Sequence, residues 1–201
     1  MIAAPPFDAG GTHVSDTWPS PPAADNAGAP GTCAGGVAAT AKHFPGFGAA
    51  VANTDVAAVR VGVPLRELRA VDRPPFRAAV RAGARLVMVS SAVYPALSAR
   101  PAVLSPRIVQ RELRGGLPFD GVTISDDLEA PAFNAYGGAA GAAVGAARAG
   151  VDLLLFARTY AGAARATAAL ADGIRAGVLD RTALQLSLRR VLALRASFAN
   201  R

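Results

Sequence analysis

Residues 121–127 read GVTISDD, and this stretch decides the fold class. Val122, Thr123 and Ile124 are all β-branched, a type that loses rotamer freedom in a helix and packs well on a pleated surface. Gly121 bounds the run on one side; Asp126 and Asp127 end it on the other. A strand without hydrophobic–polar alternation is one covered on both faces, the mark of a parallel sheet. Working outward, LVMVS at 86–90 and VDLLLF at 151–156 repeat the pattern, and VAATAK at 37–42 adds a fourth run. Helical stretches separate them. PFRAAVRAG at 75–83 puts Phe76, Ala79 and Val80 on one face and ends at Gly83. Residues 105–115 open on Ser-Pro, an N-cap followed by proline in the first turn, and stop at Gly115-Gly116. Helices are also predicted at 139–150, 161–176 and 181–198, the last capped by Asp180.

The expectation is an α/β fold: a parallel four-stranded sheet at 37–42, 86–90, 121–125 and 151–156, with helices on its outer face. Each βα unit takes about 30 to 45 residues, and residues 36–201 hold four of them. A full (β/α)₈ barrel takes ~250 residues and rarely fewer than 200. The fold class is therefore a partial TIM barrel. Residues 1–35 differ: Pro5, Pro6, Pro19, Pro21, Pro22 and Pro30 stand among Ala and Gly with no apolar period. They read as a disordered leader, leaving 36–201 as the folded domain.

Of the 201 residues, 52% are apolar and 17% charged, which excludes a wholly disordered chain. The net charge of +7 rests on twenty Arg and one Lys, a bias that singles out Lys42. One Cys and two distant His exclude a disulfide framework and a zinc site, and no metal or cofactor is expected. Cys33 reads as inert. No stretch reaches the ~18–20 apolar residues of a membrane span. Met1 to Ala9 lacks the basic and apolar regions of a signal peptide, so a cytoplasmic location is expected. Arg73, Arg77, Arg81 and Arg85 recur every four residues. Without interleaved aromatic residues they read as a solvated helix face rather than a nucleic-acid surface.

In βα proteins the reactive groups sit where strands run out into loops. Three strand ends are polar: Lys42-His43, Ser90-Ser91 and Asp126-Asp127. Lys and His side by side supply hydrogen-bond donors suited to sugar hydroxyls, though a bare Lys-His pair also fits an ordinary loop. Asp126, following an apolar strand, is placed to act as nucleophile, metal ligand or base. Asp127 and Glu129 lie nearby, and Asp127 equally suits a helix cap.

Together AKHFPGFG, VDRPPFRAAVRAG, VMVSSAVYPAL, LSPRIVQRELRGGLPFDGVTISDDLEA and AGVDLLLF resemble the catalytic barrel of glycoside hydrolase family 3, above all the bacterial β-N-acetylhexosaminidases. The resemblance runs from about Gly35 to Phe198. It implies retaining hydrolysis of an O-glycosyl bond, with Asp126 as the catalytic nucleophile and Lys42 and His43 as sugar-hydroxyl ligands. The implied partner is an N-acetylhexosamine-containing glycan or cell-wall fragment. Two departures stand out. The hexosaminidase group carries its general acid/base His in an Asp-x-His pair soon after KHFPG. Here the loop from Phe47 to Pro64 holds one acid, Asp55, and no His. Asp55 is a candidate for the acid/base role, but a weak one, since a solvated carboxylic acid is mostly ionised at neutral pH and donates protons poorly. The family barrel also begins well before KHFPG, so the chain reads as the second half of a barrel with an unrelated leader. Impaired turnover is expected, the alternative being an inactive half barrel or sugar-binding remnant. Exposed sheet edges favour self-association.

Overall fold

The computed structural model describes residues 38–199. The stretch read as a leader, with His13 and Cys33, lies outside them. Four strands, β1 (Thr40–Phe44), β2 (Leu86–Val89), β3 (Val122–Asp127) and β4 (Leu153–Leu155), form one sheet in the order β1-β2-β3-β4. Every neighbouring pair is parallel. The chain has the α/β fold that the apolar runs predict.

The strand ends differ from the expectation in an instructive way. β1 starts at Thr40 and runs on to Phe44, so Lys42 and His43 belong to the strand rather than to the loop after it. Phe44 pairs with Val89, and that long-range ladder carries the strand past its polar residues. The register slips between Ala41 and Phe44. The Lys42–His43 and Phe44–Pro45 peptide bonds are both cis. β3 likewise continues through Asp126 to Asp127, which pairs with Leu155.

Before β2, α1 (Leu65–Glu67), a wide turn at Leu68–Asp72 and α2 (Arg73–Arg81) run on as one rod. The rod starts ten residues ahead of the predicted helix. Pro74 and Pro75 lack the N–H groups that would bond back, and the turn ahead of them winds wider than an α-helix. A π-wound helix (Arg107–Gly115) follows β2, with Ser105 Oγ accepting the Ile108 N–H at 3.4 Å. Then come α3 (Gly138–Ala149), α4 (Tyr160–Arg175) and α5 (Arg181–Ala199). Asp180 caps α5, its Oδ1 accepting the Thr182 N–H at 2.7 Å.

One face of the sheet is sealed. Val87 and Val89 pack in one core with Ile108, Val109 and Leu113 of the π-wound helix and with Ala142, Ala143 and Ala146 of α3. The alanines and Gly145 keep α3 thin. A Cβ on Gly145 would lie 3.1 Å from Leu104 Cδ2. The other row, Met88, Ile124 and Asp126, stays half-buried. At the base of the strands Asp152 is fully buried and binds four groups. Its Oδ2 accepts from Arg114 Nη2 (2.6 Å), the Thr123 N–H (2.8 Å) and Thr123 Oγ1 (2.9 Å), and its Oδ1 from Arg190 Nη1 (3.1 Å).

The arginine stripe is not uniformly solvated. Arg77 and Arg81 are exposed, but Arg73 is half-buried against Glu112. Arg85 donates to Ser197 Oγ at 2.6 Å and lies over the Phe198 ring. The side chains of α5 and the π-wound helix give these two cations partners that helical spacing alone does not show.

Candidate active site

β1 and β3 carry the candidate site because their polar residues sit at the C-terminal ends of parallel strands, which all open toward one mouth. Asp126 and Ile124 share a strand face, being two residues apart. The Asp126 side chain is 16% exposed. Its Oδ1 accepts the Asp127 N–H at 3.0 Å, while Oδ2 faces His43 Nε2 at 3.8 Å. One oxygen is therefore anchored and the other is open. Burial pushes the His43 imidazole below its ordinary value; Asp126 and Asp55 pull it back up, and Lys42 pushes it further down. His43 is thus a neutral ring at pH 7, beside the exposed ammonium of Lys42. The His43 ring tilts against Phe47, centroids 5.7 Å apart.

The turn after β1 is held from below. Gly46 sits at φ +142°, and a Cβ there would lie 2.2 Å from Asp72 Cβ, so only glycine fits. Its N–H donates to the His43 carbonyl at 2.9 Å, and the buried Tyr94 hydroxyl donates to its carbonyl at 2.7 Å. Burial raises both the Tyr94 phenol and the Asp72 carboxyl, with Glu67 adding to the latter. Ser90 and Ser91, the polar end of β2, are both buried. Ser90 Oγ accepts the Ala92 N–H at 3.0 Å, whereas the buried Ser91 Oγ has no hydrogen-bond partner among the described residues.

Asp127 is also committed. Its Oδ1 accepts the Glu129 N–H (3.0 Å) and the Ala157 N–H (3.1 Å), and its Oδ2 accepts from Arg158 Nε (2.9 Å). It therefore ties the end of β3 to the loop after β4 rather than capping a helix. Glu129 accepts the backbone N–H groups of Arg158 and Thr159 and the Thr159 hydroxyl, bonds that lower its pKa. Arg158 reaches on, donating through Nη2 to the Asp55 carbonyl. The exposed Asp55 follows Asn53, whose Oδ1 accepts the Asp55 N–H at 2.9 Å. The loop is pinned again where the Val61 N–H donates to the Val93 carbonyl and the Val93 N–H to the Val59 carbonyl.

Sequence reasoning missed Arg158, Tyr94 and Asp72. Arg158 was findable, since it follows β4 as Asp126 ends β3, and the strand-end rule applies to both. The contacts of Tyr94 and Asp72 with Gly46 leave no local signal. Among the described residues no cluster of His, Cys, Asp and Glu is fit to hold a metal ion. None of the described helices is long and apolar enough to cross a membrane.

An open carboxylate oxygen beside a neutral imidazole and an ammonium suits a polyhydroxylated ligand attacked at one carbon. A secreted glycosyl hydrolase of uncharacterised activity from Arthroderma benhamiae is 40% identical over 163 residues, covering 79% of this chain and 46% of that protein. A beta-hexosaminidase from Stenotrophomonas maltophilia is 42% identical over 120 residues, covering 60% of this chain and 36% of its own. The structure superposes on a family 3 beta-N-acetylglucosaminidase from Paenibacillus with a TM-score of 0.79 at 35% identity, over 82% of this chain and 32% of that one. For a beta-N-acetylhexosaminidase from Beutenbergia cavernae the TM-score is 0.73 at 36% identity, with 78% and 46% covered. The chain thus spans less than half the length of each of these relatives. Residues 23–194 match the family model of the Glycosyl hydrolase family 3 N terminal domain, starting inside the proline-rich stretch, and the chain belongs to that family.

Proposed function

We propose that this chain hydrolyses, with retention, a β-linked N-acetylhexosaminide of the kind found in glycans and cell-wall fragments. The open Asp126 Oδ2 at the strand mouth, 3.8 Å from His43 Nε2, is the observation that carries the reading. Asp126 attacks the anomeric carbon, the bond to the leaving oxygen breaks, and a covalent glycosyl-enzyme forms; water then releases the sugar. Lys42 and His43 hold ring hydroxyls, and those bonds strengthen as charge develops at the transition state. The family's histidine is absent from the loop after KHFPG, so aryl glycosides, which leave without protonation, are the better substrates. Protonation of the leaving group contributes typically 10²–10⁴-fold.

The test is a fluorinated dinitrophenyl N-acetylglucosaminide, whose covalent adduct is long-lived. Mass spectrometry should find one sugar on Asp126 in the native chain and none in Asp126→Asn. An unlabelled native chain overturns the reading in favour of an inactive, sugar-binding barrel segment. Residues 36–201 act here as the folded unit, and their self-association through the outer edges of β1 and β4 belongs to the same proposal. The cytoplasmic expectation stands beside a relative described as secreted, and cell fractionation decides it.

A further inference from the structure

Retaining hydrolysis uses a second group beside the nucleophile, first as acid and then as base, and in most glycosidases that group is a carboxyl. Two of the carboxylates on the strand-end loops are already engaged. Asp127 holds two backbone N–H groups and Arg158, and Glu129 holds two backbone N–H groups and Thr159. Asp72 lies under the Gly46 turn, and Asp152 lies at the opposite end of the strands. Asp55 alone combines an exposed carboxylate, unpartnered among the described residues, with a main chain fastened over the mouth. Its carbonyl is held by Arg158, its N–H by Asn53, and its charge acts on His43 beside Asp126.

We infer that Asp55 is the second catalytic carboxylate and that Arg158 is its positioning residue. The inference rests on the reaction proposed above. In the first step the C1–O bond to the leaving group breaks as Asp126 Oδ2 bonds to C1, and the leaving oxygen takes the proton of the Asp55 carboxyl. In the second, the Asp55 carboxylate takes a proton from water, the water oxygen bonds to C1, and the C1–Asp126 ester bond breaks. Arg158 spans the gap because one guanidinium binds Asp127, next to the nucleophile, and the main chain of Asp55, 103 residues away in sequence. The bond to Asp55 is made by its carbonyl, so replacing the Asp55 side chain leaves the fastening intact.

That separation makes the test clean. With dinitrophenyl N-acetylglucosaminide, Asp55→Ala should form the Asp126 adduct at the native rate and break it down about 10²–10⁴-fold more slowly. Azide, which needs no base, should restore turnover and yield the β-glycosyl azide. Arg158→Gln should lower kcat with KM little changed, and azide should rescue it as well; a merely structural loss would not be rescued. Native-rate breakdown in Asp55→Ala without azide product, while Asp126 still labels, overturns this inference alone. Absence of labelling in the native chain overturns the reaction itself and this inference with it.

Discussion

His43 holds less charge at neutral pH than a solvent-exposed histidine, because burial outweighs the pull of Asp126 and Asp55. The linkage has a definite sign. The unfolded chain takes up the proton near pH 6.5, while the folded chain resists until lower pH. Stability should therefore fall as pH drops below 6.5 and level off once the folded-state pKa is passed. Urea unfolding of His43→Gln between pH 7.5 and about 5 should show a flatter curve than the native chain; parallel curves would count against this account. Gly46 gives a second expectation at the same scale. Gly46→Ala forces a Cβ into Asp72 at a backbone angle that costs about 1–3 kcal/mol by itself. Adding Asp72→Gly should recover the overlap but not the backbone strain, so the double variant should fall between the single variant and the native chain in urea midpoint.

Among the elements, the base of β3 and β4 depends on one carboxylate. Asp152 is fully buried between Arg114 and Arg190, and burial lowers the Arg114 pKa against the pull of Asp152. Removing one partner of a buried ion pair leaves the other uncompensated, so Asp152→Ala should cost about 3–5 kcal/mol, read as a lower urea midpoint at unchanged m. The reach of sequence reasoning ends at just such pairs. The four strands and the helices between them were legible because their signals are local: β-branched runs, a Ser-Pro opening, a capping Asp180. The end of β1 was not, because the pairing of Phe44 with Val89 carries it past Lys42 and His43. Asp152 stood in the VDLLLF run, but nothing in the spacing named Arg114, 38 residues earlier. Asp126 and Lys42-His43 were readable as strand-end polar groups, whereas the commitment of Asp127 to Arg158 and Ala157 rests on contacts between distant loops.

At the scale of the molecule, β1 and β4 each pair on one side only, so two edges stay unfilled among the described residues. Unfilled edges template pairing with another chain, and a net charge of +7 opposes it. Salt screens such repulsion over roughly 10 Å at 0.1 M, so association should increase with both protein and salt concentration. Sedimentation velocity across both ranges checks this; a single monomer peak at every condition would refute it. Seen end to end, the ion-paired base around Asp152 and the loops at the mouth share no side chain. Exchanges at the exposed residues 51, 52, 56 and 160 leave the base and the bonds of Asp55 and Arg158 untouched, which makes those positions a place where inherited variation is cheap to try. A lineage built this way can alter what it recognises by exchanging those exposed residues while the strands beneath keep their register, and a laboratory library confined to them should inherit the same tolerance.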